Sequence, residues 1–471
     1  MIPNGPKYAF HCLCTAGSLT RQIKGLRGVA SVFVVTSHLV RGYAIWLLRP
    51  AVEENGYIPW YEWPFIRAYA EGWPWVAVFL ILTGFVNTIQ PVQKARTGNT
   101  DSSLSGLASS AFRRTLRLVL PCTIATFFSW IIAQCGGYNI ARMVDSEWMR
   151  SSGSAERSQS VLTAITDLLR AIYRTWAWAD NDYDRNQWSM TWFLRGTMLL
   201  YVTLLATVRV RPRYRMLIFL ALFLYSWKNR DTLGGIPIFG GGLLCELSME
   251  PIVSKFSTSR STVRRALPFS MALVGWYLMS YSGDHTEWAG WSKTLLQIGV
   301  NVFPAGAEIA SYVHLTGVLV LVTTIVLSST LQQILSHPVC LWLGIHSFPI
   351  YLVHGPLLRS FLNWMLYAFT DPEWIEEKDE DDAVVRIYPK LPIPPLWKFF
   401  FAIPIFFVTL FVSARLWIIY IEPLCAQFTK WVEDIACGNS RKTENSQEAT
   451  IAPVEVNDKT DDNENGPLLP V

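Results

Sequence analysis

An all-α, polytopic membrane protein of about ten spanning helices is what this sequence predicts, and three observations carry the prediction. Of its 471 residues, 51% are hydrophobic and 16% charged, against about 25% charged in ordinary soluble domains. Ten apolar stretches approach or exceed the roughly 20 residues that cross a bilayer at 1.5 Å per residue. Lys and Arg fall unevenly between the loops on alternate sides of those stretches. A net charge of +4 is too small to imply a nucleic-acid partner. The 8 cysteines are scattered, several inside apolar runs, and read as small core hydrophobes rather than a disulfide framework or metal site.

The predicted spans lie at 28–48, 73–91, 115–135, 188–208, 214–228, 232–248, 266–282, 309–330, 340–367 and 397–421. The fifth and sixth are short, parted only by Lys228-Asn229-Arg230-Asp231, and form either two spans or one re-entrant hairpin. Tyr8 to Ala16 is too brief an apolar run for a cleavable signal, so the first span is expected to direct insertion. With the N-terminus cytoplasmic, 17 Lys and Arg residues fall in the inner segments, among them Arg27, Arg113, Arg114, Arg117 and Arg209 to Arg215. Only 8 fall in the short outer loops, beside the acidic run Glu376 to Asp382. Both ends are therefore expected inside. The chain divides into a cytoplasmic segment at 1–25, a membrane domain at 26–425 with a long outer loop at about 136–187, and a polar cytoplasmic tail at 438–471 that reads as disordered. Within the long loop, Val161, Leu162, Ile165, Leu168, Leu169 and Ile172 recur at helical spacing and predict an amphipathic helix on the outer leaflet.

Ionisable groups inside spans are costly and are functional candidates by default. His38 lies deep in the first span and Arg27 stands eleven positions earlier. Eleven steps of about 100° return to the same face, about 16 Å apart along the axis. That pair either holds an anionic cofactor beneath a titratable base, or comprises a topology signal and a histidine bonded to a neighbouring carbonyl. His354, in the ninth span, is expected at a depth comparable with His38, lining one cavity with it or bonding a carbonyl freed by Pro349 or Pro356. His314, His346 and Glu246 are expected at the membrane interfaces, and the clustered tryptophans in aromatic belts.

The same residues carry a resemblance. Leu26-Arg27-Gly28-Val29-Ala30 leading to His38 is similar to the Arg-x10-His signature of the acyltransferase 3 family of integral-membrane O-acyltransferases. Phe79-Leu80-Ile81-Leu82-Thr83-Gly84-Phe85 resembles the family's Phe-Phe-x-Leu-Ser-Gly-Phe. Tyr183-Asp184, Trp188-Ser189-Met190 and Arg195-Gly196-Thr197-Met198 resemble its third motif, and Ser347-Phe348-Pro349-Ile350-Tyr351-Leu352-Val353-His354-Gly355-Pro356 its late one. The four stand in family order, and the chain looks like a fungal-type member.

The resemblance implies transfer of an acyl group, often acetyl, from acyl-CoA as donor substrate to a hydroxyl of a small hydrophobic acceptor, a natural product or lipid, within the bilayer. No permanently bound cofactor or metal is implied. It gives the catalytic roles to Arg27 and His38, with His354, Thr83, Trp188 and Asp184 as candidates for a second site or cavity. Where the family has a glutamate this chain has Phe193, and Asp180, Asp182 and Asp184, just outside that span, are the candidate substitutes from the loop. A neutral imidazole, ordinarily titrating near 6.5, is able to take the hydroxyl proton as attack proceeds. Thr36, Ser37, Thr83 and Trp192 are the candidate oxyanion donors. Arg113, Arg114, Arg117 and Arg195 are candidate contacts for the CoA end, the first three also serving as stop-transfer charge. From another functional class, a transporter of the acceptor also fits the many buried helices, and a silent acyl-binding relative fits Phe193. No internal repeat of the two halves supports the transporter.

Overall fold

The computed structural model describes residues 6–151, 153–253, 262–378 and 384–437. The predicted tail at 438–471, part of the acidic run and the basic residues Lys255 and Arg260 lie outside them. The described chain is almost wholly helical: α1 (Pro6–Tyr43), α2 (Trp73–Arg96), α3 (Thr100–Gln134), α4 (Glu147–Ser151), α5 (Val161–Trp178), α6 (Trp188–Thr207), α7 (Pro212–Lys228), α8 (Ile236–Ser248) and α9 (Thr262–Met279). There follow α10 (Gly290–Val302), α11 (Ile309–Leu327), α12 (Ser329–Leu335), α13 (Pro338–Leu357), α14 (Asn363–Tyr367), α15 (Leu396–Leu416) and α16 (Glu422–Ala436). Each of the ten predicted spans contains a helix. Among the described residues 7 helices are long and apolar enough to cross a membrane, which makes this an integral, multi-pass protein. The helices at 212–228, 236–248 and 266–279 fall short by length or composition, so the count of ten is not reached on that criterion.

The first span differs from its prediction at both ends. It runs as a continuous helix through residue 25, and the apolar part is Arg21–Tyr43. Hydropathy continues to Leu48, but Ile45–Leu48 form a 3-10 turn. The fully buried Arg67 donates to the Leu48 carbonyl (2.9 Å), to that of Leu47 (3.4 Å) and to that of Ser280 (2.7 Å). These bonds satisfy the carbonyls of the turn and hold it in place beyond the helix end at Tyr43. His38 therefore sits five residues from the helix end rather than at mid-span.

An antiparallel hairpin, β1 (Glu373–Lys378) with β2 (Val384–Lys390), stands where the sequence suggested only an acidic loop. Next to it, the Leu391 amide donates to the Met143 carbonyl (2.8 Å) and Lys390 pairs with Asp145 (2.8 Å), tying the hairpin to the start of the long loop. The predicted amphipathic helix is α5. It turns Ala164, Ala171 and Thr175 inward and leaves Val161, Leu162, Ile165 and Leu169 exposed, the pattern of a helix lying in the membrane interface.

The largest helix contacts join α1 to α13, α2 to α8 and α9 to α11. Glycine permits each. A Cβ on Gly28 or Gly25 would run into the backbone of α13 or the turn before it, and one on Gly344 would overlap the Lys24 carbonyl. Gly84 with Gly241, and Gly275 with Gly317, act alike in the other pairs. Small residues matter here because lipid is as apolar as leucine, so close backbone packing rather than hydrophobic burial draws helices together. Helix α2 lies at the centre of the bundle, while α15 and α16 lie at its edge with Phe400, Phe401, Val408 and Val412 exposed to lipid.

Candidate functional site

Helices α1 and α13 run parallel, because residues in the same order along both meet. At one end Arg27 donates to Ser347 Oγ through Nη2 (3.0 Å) and Nε (3.3 Å), and to the Gly344 carbonyl (3.5 Å). Toward the other end His38 Nδ1 lies 2.8 Å from His354 Nε2. Arg27 and His38 thus share the face of α1 that meets α13, at the spacing the sequence gives, and His354 joins His38 directly.

The hydrogen bonds fix how the two neutral rings are protonated. His354 Nδ1 lies 3.0 Å from the Ile350 carbonyl, which only accepts, so Nδ1 carries the proton. Its Nε2 then offers a lone pair, and His38 must donate to it from Nδ1. The second nitrogen of His38, Nε2, is left with a free lone pair, the form in which an imidazole acts as a base. The relay runs from carbonyl to ring to ring and ends on a group able to take a proton.

Three residues absent from the sequence reading complete this end. Trp148, in α4, packs on His38 with ring centroids 5.0 Å apart. Arg359 lies over the other part of that indole, its Cζ 4.4 Å from the ring. Arg359 occupies the π-helical turn Leu358–Leu362 that follows His354-Gly355-Pro356, and such turns recur at functional sites. The segment bearing Trp148 is held by Ser146, which donates to the Arg41 carbonyl (2.8 Å). It then passes so close to Arg359 that a Cβ at Gly153, whose φ of +88° already favours glycine, would stand 3.7 Å from the guanidinium carbon. Asn186 supports α13 as well, its carbonyl accepting from Tyr351 Oη (3.1 Å).

Asp184 is fully buried beside Arg359 and caps the turn Arg185–Gln187, its Oδ1 accepting from the Asn186 amide (3.2 Å). Burial pushes its carboxyl up to about 7, against the pull of the Arg359 guanidinium. The side-chain amides of Asn186 and Gln187 lie near without reaching hydrogen-bonding geometry. Asp184 Oδ2, Asn186 Nδ2 and Arg359 Nε and Nη2 are all buried and unpartnered. Orphaned polar atoms are rare in folded proteins. Four in one place, packed around Gly355 next to His354, make a buried polar cluster with hydrogen-bonding capacity to spare.

The remaining expected residues are spread more widely. Thr83 is buried with a free hydroxyl, and Trp188 packs at the edge of the main core. Thr36 and Ser37 donate to the Phe33 and Val34 carbonyls. Arg113 pairs with Glu433 (2.8 Å) and Arg114 is buried with Nε and Nη2 unpartnered. Arg117 Nε is buried without a partner as well. Arg195 stands apart from these three, exposed, over Trp192 and donating to the Ala177 carbonyl (3.3 Å). Asp180 and Asp182 both bind Arg174, which leaves Asp184 alone among the three beside Arg359.

Three residues expected at the membrane interfaces are buried within the protein. Glu246 is fully buried, held by Arg96 (2.6 Å) and Arg215. His314 is buried, its Nε2 donating to the Tyr281 carbonyl (2.7 Å), and His346 is buried with its Nδ1 donating to the Trp342 carbonyl (2.8 Å). Depth along a helix does not reveal which way a side chain turns. The rule that flags ionisable groups within spans does find Arg359, inside the ninth predicted stretch. Nothing in the sequence pairs it with a tryptophan more than 200 residues away.

Comparison with known proteins converges on one family. A family model described as an acyltransferase domain, that of acyltransferase 3, matches residues 21–415. The chain is 27% identical over 379 residues to the O-acetyltransferase PaAT-1 of Phomopsis amygdali, an alignment covering 72% of each chain. No solved structure matches significantly. With the match spanning most of the multi-pass helical fold, the chain belongs to the acyltransferase 3 family of membrane acyltransferases.

Proposed function

We propose that this acyltransferase moves an acetyl group from acetyl-CoA to a hydroxyl of a small hydrophobic acceptor, a natural product or lipid, with His38 as general base. The observation that carries the reading is the carbonyl–His354–His38 relay, which leaves His38 Nε2 free to accept a proton. The acceptor oxygen attacks the thioester carbonyl while Nε2 takes its proton. The C–O bond forms, the C–S bond breaks, and the proton passes to the departing thiolate. General-base assistance of this kind is worth about 10²- to 10⁴-fold, and no nucleophilic side chain is needed.

The donor approaches from the Arg27 end, where Arg27, Arg114 and Arg117 supply positive charge, and the acceptor approaches the polar cluster of Asp184, Asn186 and Arg359 behind Trp148. Both termini are cytoplasmic on this reading, in keeping with the distribution of Lys and Arg. The acetyl group is suggested by the relative, an O-acetyltransferase. The test uses the full chain in lipid nanodiscs with acetyl-CoA labelled in its acetyl group, assayed for CoA release with and without lipid extract. Expected are slow release by water alone, faster release with extract, and label in the extract. Failure to bind or turn over acetyl-CoA would refute the donor assignment.

A further inference from the structure

Where α2, α3 and α6 meet α13 lies a small apolar cavity whose walls include Phe79, Met190, Phe193, Arg114, Ser347 and Tyr351. Ser347 is the residue that Arg27 grips, and Tyr351, one turn further along α13, stands edge-on to His354 with ring centroids 5.7 Å apart. The cavity therefore reaches Arg27 through Ser347 and His354 through Tyr351. Its volume is about 20 Å³, enough for one water-sized group such as a methyl. Its single charged wall residue is Arg114, 7% exposed, whose Nε and Nη2 have no partner. An apolar slot with one buried, unpaired guanidinium suits a ligand that is apolar at its tip and carbonyl-bearing just behind it.

We infer that this cavity is the acyl subsite of the donor, that Arg114 donates to a carbonyl of the thioester arm, and that Phe193 is the wall that restricts the acyl chain to acetyl. The inference rests on the acyl-CoA reading above and adds to it a residue that sets chain length. Phe193 is 5% exposed on α6 and packs in the main core, so the barrier is a fixed ring. The position that departs from the family's glutamate thus has its own task, excluding carbon rather than moving protons. A pocket that discriminates by single methylenes does so by roughly 10- to 200-fold each.

The experiment compares CoA release from acetyl-, butyryl- and hexanoyl-CoA by the full chain in nanodiscs, for wild type, Phe193→Leu and Phe193→Ala. Competition with labelled acetyl-CoA measures binding of each donor alongside turnover. Expected is wild-type preference for acetyl over hexanoyl of at least about tenfold, lowered by Phe193→Leu and abolished or inverted by Phe193→Ala. Phe193→Leu removes less volume, so it keeps the test open where Phe193→Ala does not fold. An unchanged hexanoyl-to-acetyl ratio in the folded variants, with wild type active on acetyl-CoA, would overturn the inference and leave the donor reading standing. No binding of any acyl-CoA by wild type would overturn both.

Discussion

Two of the polar clusters buried in this bundle are built on opposite plans. Where α2, α7 and α8 meet, Glu246 has both carboxylate oxygens engaged, one by Arg96 and one by Arg215, while Arg96 also reaches Glu250 (2.9 Å). Arg215 adds the Val210 and Thr207 carbonyls (3.3 and 3.4 Å), leaving only its Nη2 unpartnered. Beside α1 and α13, His38 and His354 satisfy one another, but Asp184, Asn186 and Arg359 leave four polar atoms without partners. Buried charge is costly in either place. The first cluster offsets that cost within the protein and fixes three helices. The second leaves it partly uncompensated, which a protein sustains where a ligand or reaction completes the set.

Substitution should separate the two clusters cleanly. The largest effect is expected from His38→Ala, which should lower acetyl transfer by about 10²- to 10⁴-fold while lowering the thermal midpoint in detergent far less than loss of Glu246 does. Glu246→Ala should do the reverse, destabilising the fold by about 3–5 kcal/mol, seen as loss of monodisperse protein on size exclusion. Equal loss of stability in both variants would erase the distinction. Next comes Arg27→Lys, which keeps the charge but loses the planar fork across Ser347 and Gly344. Its acetyl-CoA affinity should fall by about tenfold, as measured by competition binding, while the topology is unchanged.

The smallest effect concerns Asp184, whose carboxyl in the folded protein is pushed up to about 7 from its ordinary 3.8. Between those values the folded chain holds a proton that the unfolded chain has released, so this group's contribution to stability falls as pH rises through that window and levels off above it. Asp184→Asn should remove that slope from a plot of thermal midpoint against pH. Superimposable plots for variant and wild type would show that Arg359 already compensates the carboxylate fully.

How much of this was legible in the sequence depends on whether a feature belongs to one helix or to two. Spans were readable because twenty apolar residues in a row have few other uses, and the shared face of Arg27 and His38 follows from the pitch of one helix. The end of α1 was not, since Ile45 to Leu48 are as apolar as the helix they leave and only Arg67, from the next loop, reveals the stop. That His38 and His354 would be near one level followed from counting. That they would touch required Gly25, Gly28 and Gly344 to bring two backbones together, which hydropathy does not register. Trp148 and the hairpin lay in loops, where the pattern of apolar residues says little about which span a side chain will cover.

The pairing of α1 with α13 also bears on how the protein is made. His38 emerges from the ribosome early and His354 more than 300 residues later, so the two histidines cannot meet until nearly every helix has been synthesised and inserted. A nascent chain stalled before Pro338 would carry the Arg-x10-His signature intact yet lack the helix against which both residues are held. Activity should therefore arise late and as a single event. A cell should accumulate no partly built form able to consume its thioester pool, and a separately expressed fragment beginning near Ser329 should restore function to the truncated remainder if the glycine seam alone is enough to dock it.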